Sequence, residues 1–262
     1  IKCKVVYDIA DWYAESRKVG RLKKLIEKLE RLACKRADAV IVAHEERVKQ
    51  IGFVPRRFTV IYNSPCVEAS YESEIGGEIF NETNYFAYVG VLHKDRGIDK
   101  IVNAALKLGV KVVLAGFGPL EDYCRQMSQR YDNIDFLGVV PYEKTLSIEK
   151  NALGILALYD PELPNNKLAA PNKLFESMLL GTPIITNRQT LVGKIVEQEK
   201  IGVVIDYNSQ EELVKAMELL IREAEVRISL GNRARKLYDL KYSCARQCER
   251  LQELYRDLLQ NS

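Results

Sequence analysis

Eight short runs of β-branched and aromatic residues alternate with longer segments of helical period, and this alternation limits the possible folds more than any other feature. The runs are VVYDI (5–9), AVIVA (39–43), FTVIY (58–62), YFAYVGV (85–91), VKVVLAG (110–116), LGILALY (153–159), TPIIT (182–186) and GVVID (202–206). A strand-helix-strand order needs crossover connections, so the expected class is α/β, a parallel sheet with helices on both faces. Between the third and fourth runs lies NSPCVEASYESEIGGEIFNETN (63–84), rich in Ser, Asn, Gly and Glu. It reads as an interdomain linker. Ser209 with Glu212 forms a capping-box pattern ahead of LVKAMELLI, and Gly231 is expected to interrupt the next helical stretch.

The chain has 262 residues, 47% of them hydrophobic, enough for two unequal lobes with a sizeable core. Its 39 basic and 36 acidic side chains leave a formal charge of +3, too balanced for a nucleic-acid partner. Six cysteines, at 3, 34, 66, 124, 244 and 248, form no CxxC pair and are read as reduced thiols. The N-terminus lacks a signal-peptide apolar core, and no apolar run approaches the ~18 residues needed to span a bilayer. A cytoplasmic location is therefore expected. The first residue is Ile1 rather than Met, so upstream sequence is expected to be missing.

Several familiar motifs fail on inspection. Gly116-Phe-Gly118 opens like a dinucleotide fingerprint, but the third glycine position is Glu121. His44-Glu45 begins like a zinc-protease helix, yet Val48 stands where the second histidine belongs. There is no GxxxxGK[ST] phosphate loop, no GxSxG elbow and no Asp-x-Asp pair to hold a divalent metal against a diphosphate. No metal ligand set is expected. Asn81-Glu-Thr83 is a formal glycosylation sequon without a secretory signal beside it.

APNKLFESMLLGTP (170–183) raises a sharper question, because Asn172, Lys173 and Glu176 interrupt an otherwise core-like segment. Pro171 suits a first helical position, which would turn the amides of Asn172, Lys173 and Leu174 outward from a partly positive helix start. Such a start is an anion site. At about 100° per residue the three polar side chains share one arc, and Leu174, Phe175, Met178 and Leu179 share the other. Lys173 can neutralise a phosphate, and Glu176 can accept hydrogen bonds from vicinal hydroxyls such as those of a ribose. The bland alternative is a Lys-Glu pair at spacing three on a partly exposed helix.

YFAYVGVLHKDRGIDKIVNAA (85–105) runs strand, glycine turn, basic loop, helix. Gly90 permits close backbone approach, and Arg96 sits just ahead of the next helix, where it can clamp the same diphosphate. His93 and Lys94 are neighbours in that loop, with no role assigned.

Taken together, these segments resemble the retaining GT-B glycosyltransferases of the group-1 (family 4) type, mainly their C-terminal donor-binding domain. The resemblance is carried by YVGVLHKDRGIDKIVNAA, LAGFGPL, NIDFLGVVP (133–141), ADAVIVAHEERVKQIG with TVIYNSP, and above all PNKLFESMLLGTPIITN. It implies a GT-B architecture in which residues 1–67 are the remainder of an acceptor-side domain and 68–84 the linker. Residues 85–242 would be the nucleotide-sugar donor domain, with 243–262 a helix crossing back. It implies metal-independent transfer of a sugar from a UDP- or GDP-sugar, the donor substrate, with no further cofactor and with retention of configuration. Glu176, Lys173 and Arg96 would carry the chemistry. Gly90, Val91, Gly116, Val139, Pro141, Asn172 and Leu174 would help to line the nucleotide. The acceptor would be a glycan or lipid-linked sugar.

Two positions depart from the family pattern. The first of two glutamates, eight positions ahead of Glu176, is Leu168, and the arginine after the phosphate-loop glycine is Val91. Diphosphate binding then leans on Arg96, Lys173 and the helix amides. Three strands cannot make a whole acceptor domain, so the chain is expected to be truncated and to bind the donor without transferring sugar by itself. Two other readings are a nucleotide-sugar-binding module without transferase activity and an epimerase of the same architecture, which two histidines make a poor fit.

In ESRKVGRLKKLIEKLERLACKRADA, Arg17, Arg21, Lys24, Lys28, Arg31 and Lys35 follow helical spacing beside an apolar stripe of Leu22, Leu25, Ile26, Leu29 and Leu32. This is a basic amphipathic helix. It reads either as a solvated face on a core-packed helix or as a peripheral contact of residues 17–36 with anionic lipid at the inner membrane face.

Overall fold

The computed structural model of the chain describes residues 3–16, 20–67 and 84–260, which two parallel sheets organise. In the first sheet β1 (Val6–Ile9), β2 (Ala39–Val42) and β3 (Phe58–Val60) lie in that order. Helices α1 (Tyr13–Ser16) and α2 (Lys23–Arg36) lead from β1 to β2, and α3 (Glu46–Ile51) leads to β3. Ile9, Trp12, Cys34, Val40, Val42 and Ile51 form the core of this part.

The second sheet has six strands, β4 (Tyr85–Val91), β5 (Lys111–Phe117), β6 (Ile134–Phe136), β7 (Gly154–Ala157), β8 (Ile184–Asn187) and β9 (Gly202–Ile205). Their spatial order is β6-β5-β4-β7-β8-β9, all parallel. Between and after them run α4 (Ile98–Leu108), α5 (Glu121–Arg130), α6 (Tyr142–Asn151), α7 (Pro164–Leu168), α8 (Asn172–Leu180), α9 (Leu191–Glu199), α10 (Gln210–Arg222), α11 (Ala224–Leu237) and α12 (Cys244–Gln260). Strand β4 shows why the run YFAYVGV carries no polar alternation. Phe86 and Tyr88 pack with Ile98 and Ile101 of α4, whereas Tyr85, Ala87 and Val89 pack with Ile148 of α6. Both faces are covered, as a parallel sheet requires. The chain builds outward from β4 through β5 to β6, then returns to β7 and builds the other way. Such a reversal leaves a crevice at the carboxyl ends of the two central strands.

Helix α12 lies against the first sheet, with Leu254 and Leu258 packed on Ala39 and Ile41. Gln247 accepts a hydrogen bond from the Tyr62 amide (3.2 Å), and Arg250 donates to the Val60 carbonyl (3.3 Å).

Several expectations change. Ile134–Phe136, absent from the eight expected runs, is the edge strand β6. Gly231 does not break its helix: α11 runs through it, and a Cβ there would meet the Gly181 carbonyl oxygen at 2.1 Å. The residue is small for close packing. Ser209 accepts from the Glu212 amide (3.2 Å), but the Glu212 carboxylate turns to the Asp206 amide (2.9 Å) and Arg188 (2.7 Å), so only half the capping box forms. The cysteines are not all thiols. Cys66 and Cys244, Cα atoms 5.1 Å apart, form a disulfide; Cys3 and Cys248 are exposed thiols, and Cys34 and Cys124 are buried ones whose burial pushes them up to about 11.

In α2 the inward stripe is Ile26, Glu30 and Cys34, each one helical turn on from the last. Leu22, Leu25, Leu29 and Leu32 are exposed instead, beside Lys24, Lys28, Arg31 and Lys35. Arg17, the sequon and the linker apart from Asn84 lie outside the described residues.

Candidate functional site

Gly90 and Gly116 are register partners at the carboxyl ends of β4 and β5, with φ of 147° and 131°. A Cβ on Gly116 would lie 1.8 Å from the Gly90 carbonyl oxygen, and one on Gly90 would lie 2.5 Å from Lys173 Nζ. Only glycine fits at either place. The lysine ammonium thus rests on bare backbone at the strand end, with the Tyr88 ring 4.8 Å from it on another side.

Pro171 is the N-cap of α8 rather than its first residue, and no side chain caps the helix. The Leu174 amide donates to the Pro171 carbonyl (3.2 Å), and the Leu174 side chain is buried in the core. Leu174 therefore leaves the proposed anion cradle, and the amides of Asn172 and Lys173 remain at the helix start. Asn172 is exposed and Lys173 partly buried.

Glu176 answers the question posed by this segment in an unexpected way. It does not share an open face with Asn172, being only 4% exposed. Burial raises its carboxyl above the ordinary range, while Lys173 and a hydrogen bond from the Tyr142 hydroxyl pull the other way. The same burial lowers Lys173, which Glu149 and Glu176 partly offset. Glu149 on α6 is a group that the sequence reading missed altogether. It is fully buried, neither carboxyl oxygen has a hydrogen-bond partner, and burial together with Glu176 pushes it well above the carboxylate range.

Arg96 ends the turn 94–96, which His93 closes at its start by pairing through Nδ1 with the Asp95 carboxylate. The Arg96 guanidinium donates to Asn166 Oδ1 (2.9 Å) and stacks 4.7 Å from the centre of the Tyr159 ring. Asn166 is held in turn by the Asp160 carbonyl (3.0 Å). Helix α7, which ends at Leu168, thus fixes the arginine.

The remaining candidates form a rim. The Gly116 amide donates to the Gly138 carbonyl (2.7 Å), which ties the end of β5 to the loop carrying Val139 and Pro141. Val139 is 71% exposed, and Pro141 caps α6, whose first residue is Tyr142. The rim therefore runs from Gly116 through Val139 and Pro141 to Tyr142 and Glu176. Val91 is exposed at the end of β4 beside it. A separate cavity of about 600 Å³, lined by His93, Lys94, Asp95, Lys100, Tyr123 and Asp160 among others, includes none of Gly90, Lys173 and Glu176.

This arrangement offers a helix start, one ammonium on glycine backbone, one braced guanidinium and a buried carboxylate. It suits a diphosphate joined to a hydroxyl-bearing ring.

Known proteins give this geometry a setting. The chain is 22% identical to O-antigen chain mannosyltransferase C of Escherichia coli over 97% of its own length and 70% of that protein's. It is 23% identical to the capsular polysaccharide biosynthesis glycosyltransferase CapM of Staphylococcus aureus, over 71% of this chain and 49% of that one. In structure it resembles the Anabaena protein HepE in complex with UDP, at a TM-score of 0.76 and 15% identity, over 97% of this chain and 72% of that one. It also resembles sucrose-phosphate synthase from Thermosynechococcus elongatus (TM-score 0.73, 16% identity, 98% and 68% covered). These structures establish the GT-B fold. The family model described as glycosyl transferases group 1 matches residues 72–237, more than half of the chain, which therefore belongs to that family.

Proposed function

We propose that the chain binds a nucleotide-diphosphate sugar at the carboxyl ends of β4 and β7 and presents it for glycosyl transfer with retention of configuration. The observation that carries this reading is Lys173, set at an uncapped helix start with its ammonium against Gly90. The family membership and the UDP complex of HepE support a uridine nucleotide as the first donor to test. In this reading residues 85–242 form the donor unit, and residues 1–67 with α12 form the other wall.

Lys173, Arg96 and the amides of Asn172 and Lys173 hold the diphosphate, and they stabilise its charge as the glycosidic bond breaks. Glu176 accepts the ribose hydroxyls, exchanging its Tyr142 contact for theirs. Val139 and Pro141 border the base, with Val91 and Gly116 at the strand ends. Neutralisation comes from these cations rather than from a divalent metal, so a chelator should leave binding unchanged. The test is calorimetric titration with UDP, GDP and their sugars, followed by NMR of the anomeric configuration in any product. An inverted product, or no affinity for any of these nucleotides, would refute the reading.

A second reading, binding without transfer, is favoured by Leu168, an apolar residue where the family pattern has a carboxylate. Measuring free UDP released from a UDP-sugar in the presence of glycan or lipid-linked acceptors separates the two.

For α2 we propose peripheral contact with anionic lipid at the cytoplasmic face. Its exposed leucines flanked by lysines and arginines support this, and among the described residues no helix is long and apolar enough to cross a membrane. Leu25→Asp with Leu29→Asp should abolish co-sedimentation with phosphatidylglycerol vesicles. Undiminished binding would remove the proposal.

A further inference from the structure

We infer that Glu149 is a positioning residue of the donor site, which carries the one proton of the Glu149–Glu176 pair so that Glu176 alone is the anionic acceptor facing the nucleotide. The inference rests on the donor-site reading, but its own evidence is separate. Glu149 is 0% exposed and both of its oxygens lack a partner, and its helix α6 packs against α8, which carries Lys173 and Glu176.

From α8 these are Lys173 and Glu176; from its own helix, Tyr142; from the segment after β7, Tyr159. Lys150, the next residue along, donates instead to the Leu180 carbonyl (2.7 Å), and the Tyr85 hydroxyl donates to the Ile148 carbonyl (2.6 Å). Arg96 stands beyond Lys173 and is engaged with Asn166. The local charge count is therefore one ammonium against two buried carboxyl groups. With both ionised, the trio carries a net negative charge out of water; with one proton it is neutral. The proton belongs on Glu149, because it is 0% exposed and neither of its oxygens receives a donor that would hold a charge there, whereas Glu176 keeps a 4% exposed edge.

This arrangement has a consequence for binding. A diphosphate placed on Lys173 adds negative charge above the pair, so the complex forms only with Glu149 protonated. Once the pH exceeds the value at which the free protein loses that proton, binding has to take it up again. Affinity should then fall by up to about tenfold per pH unit. The Lys173 ammonium, lowered by burial, would give a similar decline on titration, whereas burial raises the Tyr142 and Tyr159 hydroxyls out of the way.

Titration calorimetry with UDP, from about pH 7 upward, where the terminal phosphate is already ionised, tests this in phosphate and Tris buffers of different ionisation enthalpy. For the wild type we expect uptake of close to one proton per UDP on the alkaline side, and for Glu149→Gln a proton count near zero with the slope flattened. A Glu149→Gln protein with the wild-type slope would assign the titration to Lys173 and overturn the inference. Infrared spectra of the unliganded wild type give a second measure that needs no variant. A protonated-carboxyl carbonyl band at neutral pH is expected, and its absence would overturn the inference as well. Failure of the wild type to bind UDP would refute the donor-site reading, and the infrared band would still decide the proton.

Discussion

Glu30 and Glu149 are both glutamates taken out of water on a helix, one in each sheet's neighbourhood, and their surroundings are opposite. The Glu30 carboxylate accepts from the backbone amides of Tyr13 (2.8 Å) and Ala14 (3.2 Å) at the start of α1. Around it Arg47 pairs with Asp11 and with Gln50 (3.2 Å), and Gln50 reaches Glu15 (2.7 Å). Glu149 has no hydrogen-bond donor. A buried acid with its donors built in holds a fold together; one without them stays responsive to whatever charge arrives next. The first sheet is thus braced where the second is poised.

The largest effect that would test this contrast is the joint replacement Arg96→Ala with Lys173→Ala. Loss of two charged contacts should cost about 4 kcal/mol, roughly a thousandfold in UDP affinity. Uridine should be affected little, and equal losses for both in calorimetric titration would show that these cations do not serve the phosphates. On the braced side, Glu30→Ala leaves two amides without their acceptor and should lower unfolding free energy by about 3 kcal/mol. Urea titration measures that, and UDP affinity should not follow it; a joint fall would break the distinction between the two acids.

Glu176→Ala should come next, weakening UDP-sugar binding by about 2 kcal/mol, since the hydroxyl contacts it loses replace one already made with Tyr142. Unchanged affinity would remove Glu176 from the site. The smallest effect is a drift with pH. Because Glu149 binds its proton more tightly folded than unfolded, its contribution to stability is complete in acid and declines as pH rises from the unfolded carboxyl value towards the folded one. Glu149→Gln should therefore gain on the wild type as pH rises, read as diverging urea midpoints. A constant gap across that range would contradict the raised value.

Much of the architecture can be read from local pattern. β4 spans the same residues as the run YFAYVGV, because strands covered on both faces are continuously apolar. β6 escapes because Ile134–Phe136 has three residues with a charge in the middle. PNKLFESMLLGTP marks the site because helix starts and glycine turns have local signatures. Glu149 carries none: in SIEKN it resembles any solvated helical acid, and its burial depends on α8, more than twenty residues later. The leucines of α2 mislead for a related reason. Periodicity identifies an apolar stripe but not what covers it, and the stripe facing this core is Ile26, Glu30 and Cys34.

The bond between Cys66 and Cys244 joins residues 178 apart, so everything from β4 to the end of α11 lies inside one covalent ring. A single backbone cut anywhere between 67 and 243 opens that ring without releasing a fragment. While the bond is intact, a protease that nicks the chain between Cys66 and β4 leaves one molecule of unchanged mass on a non-reducing gel, and only reduction divides it in two.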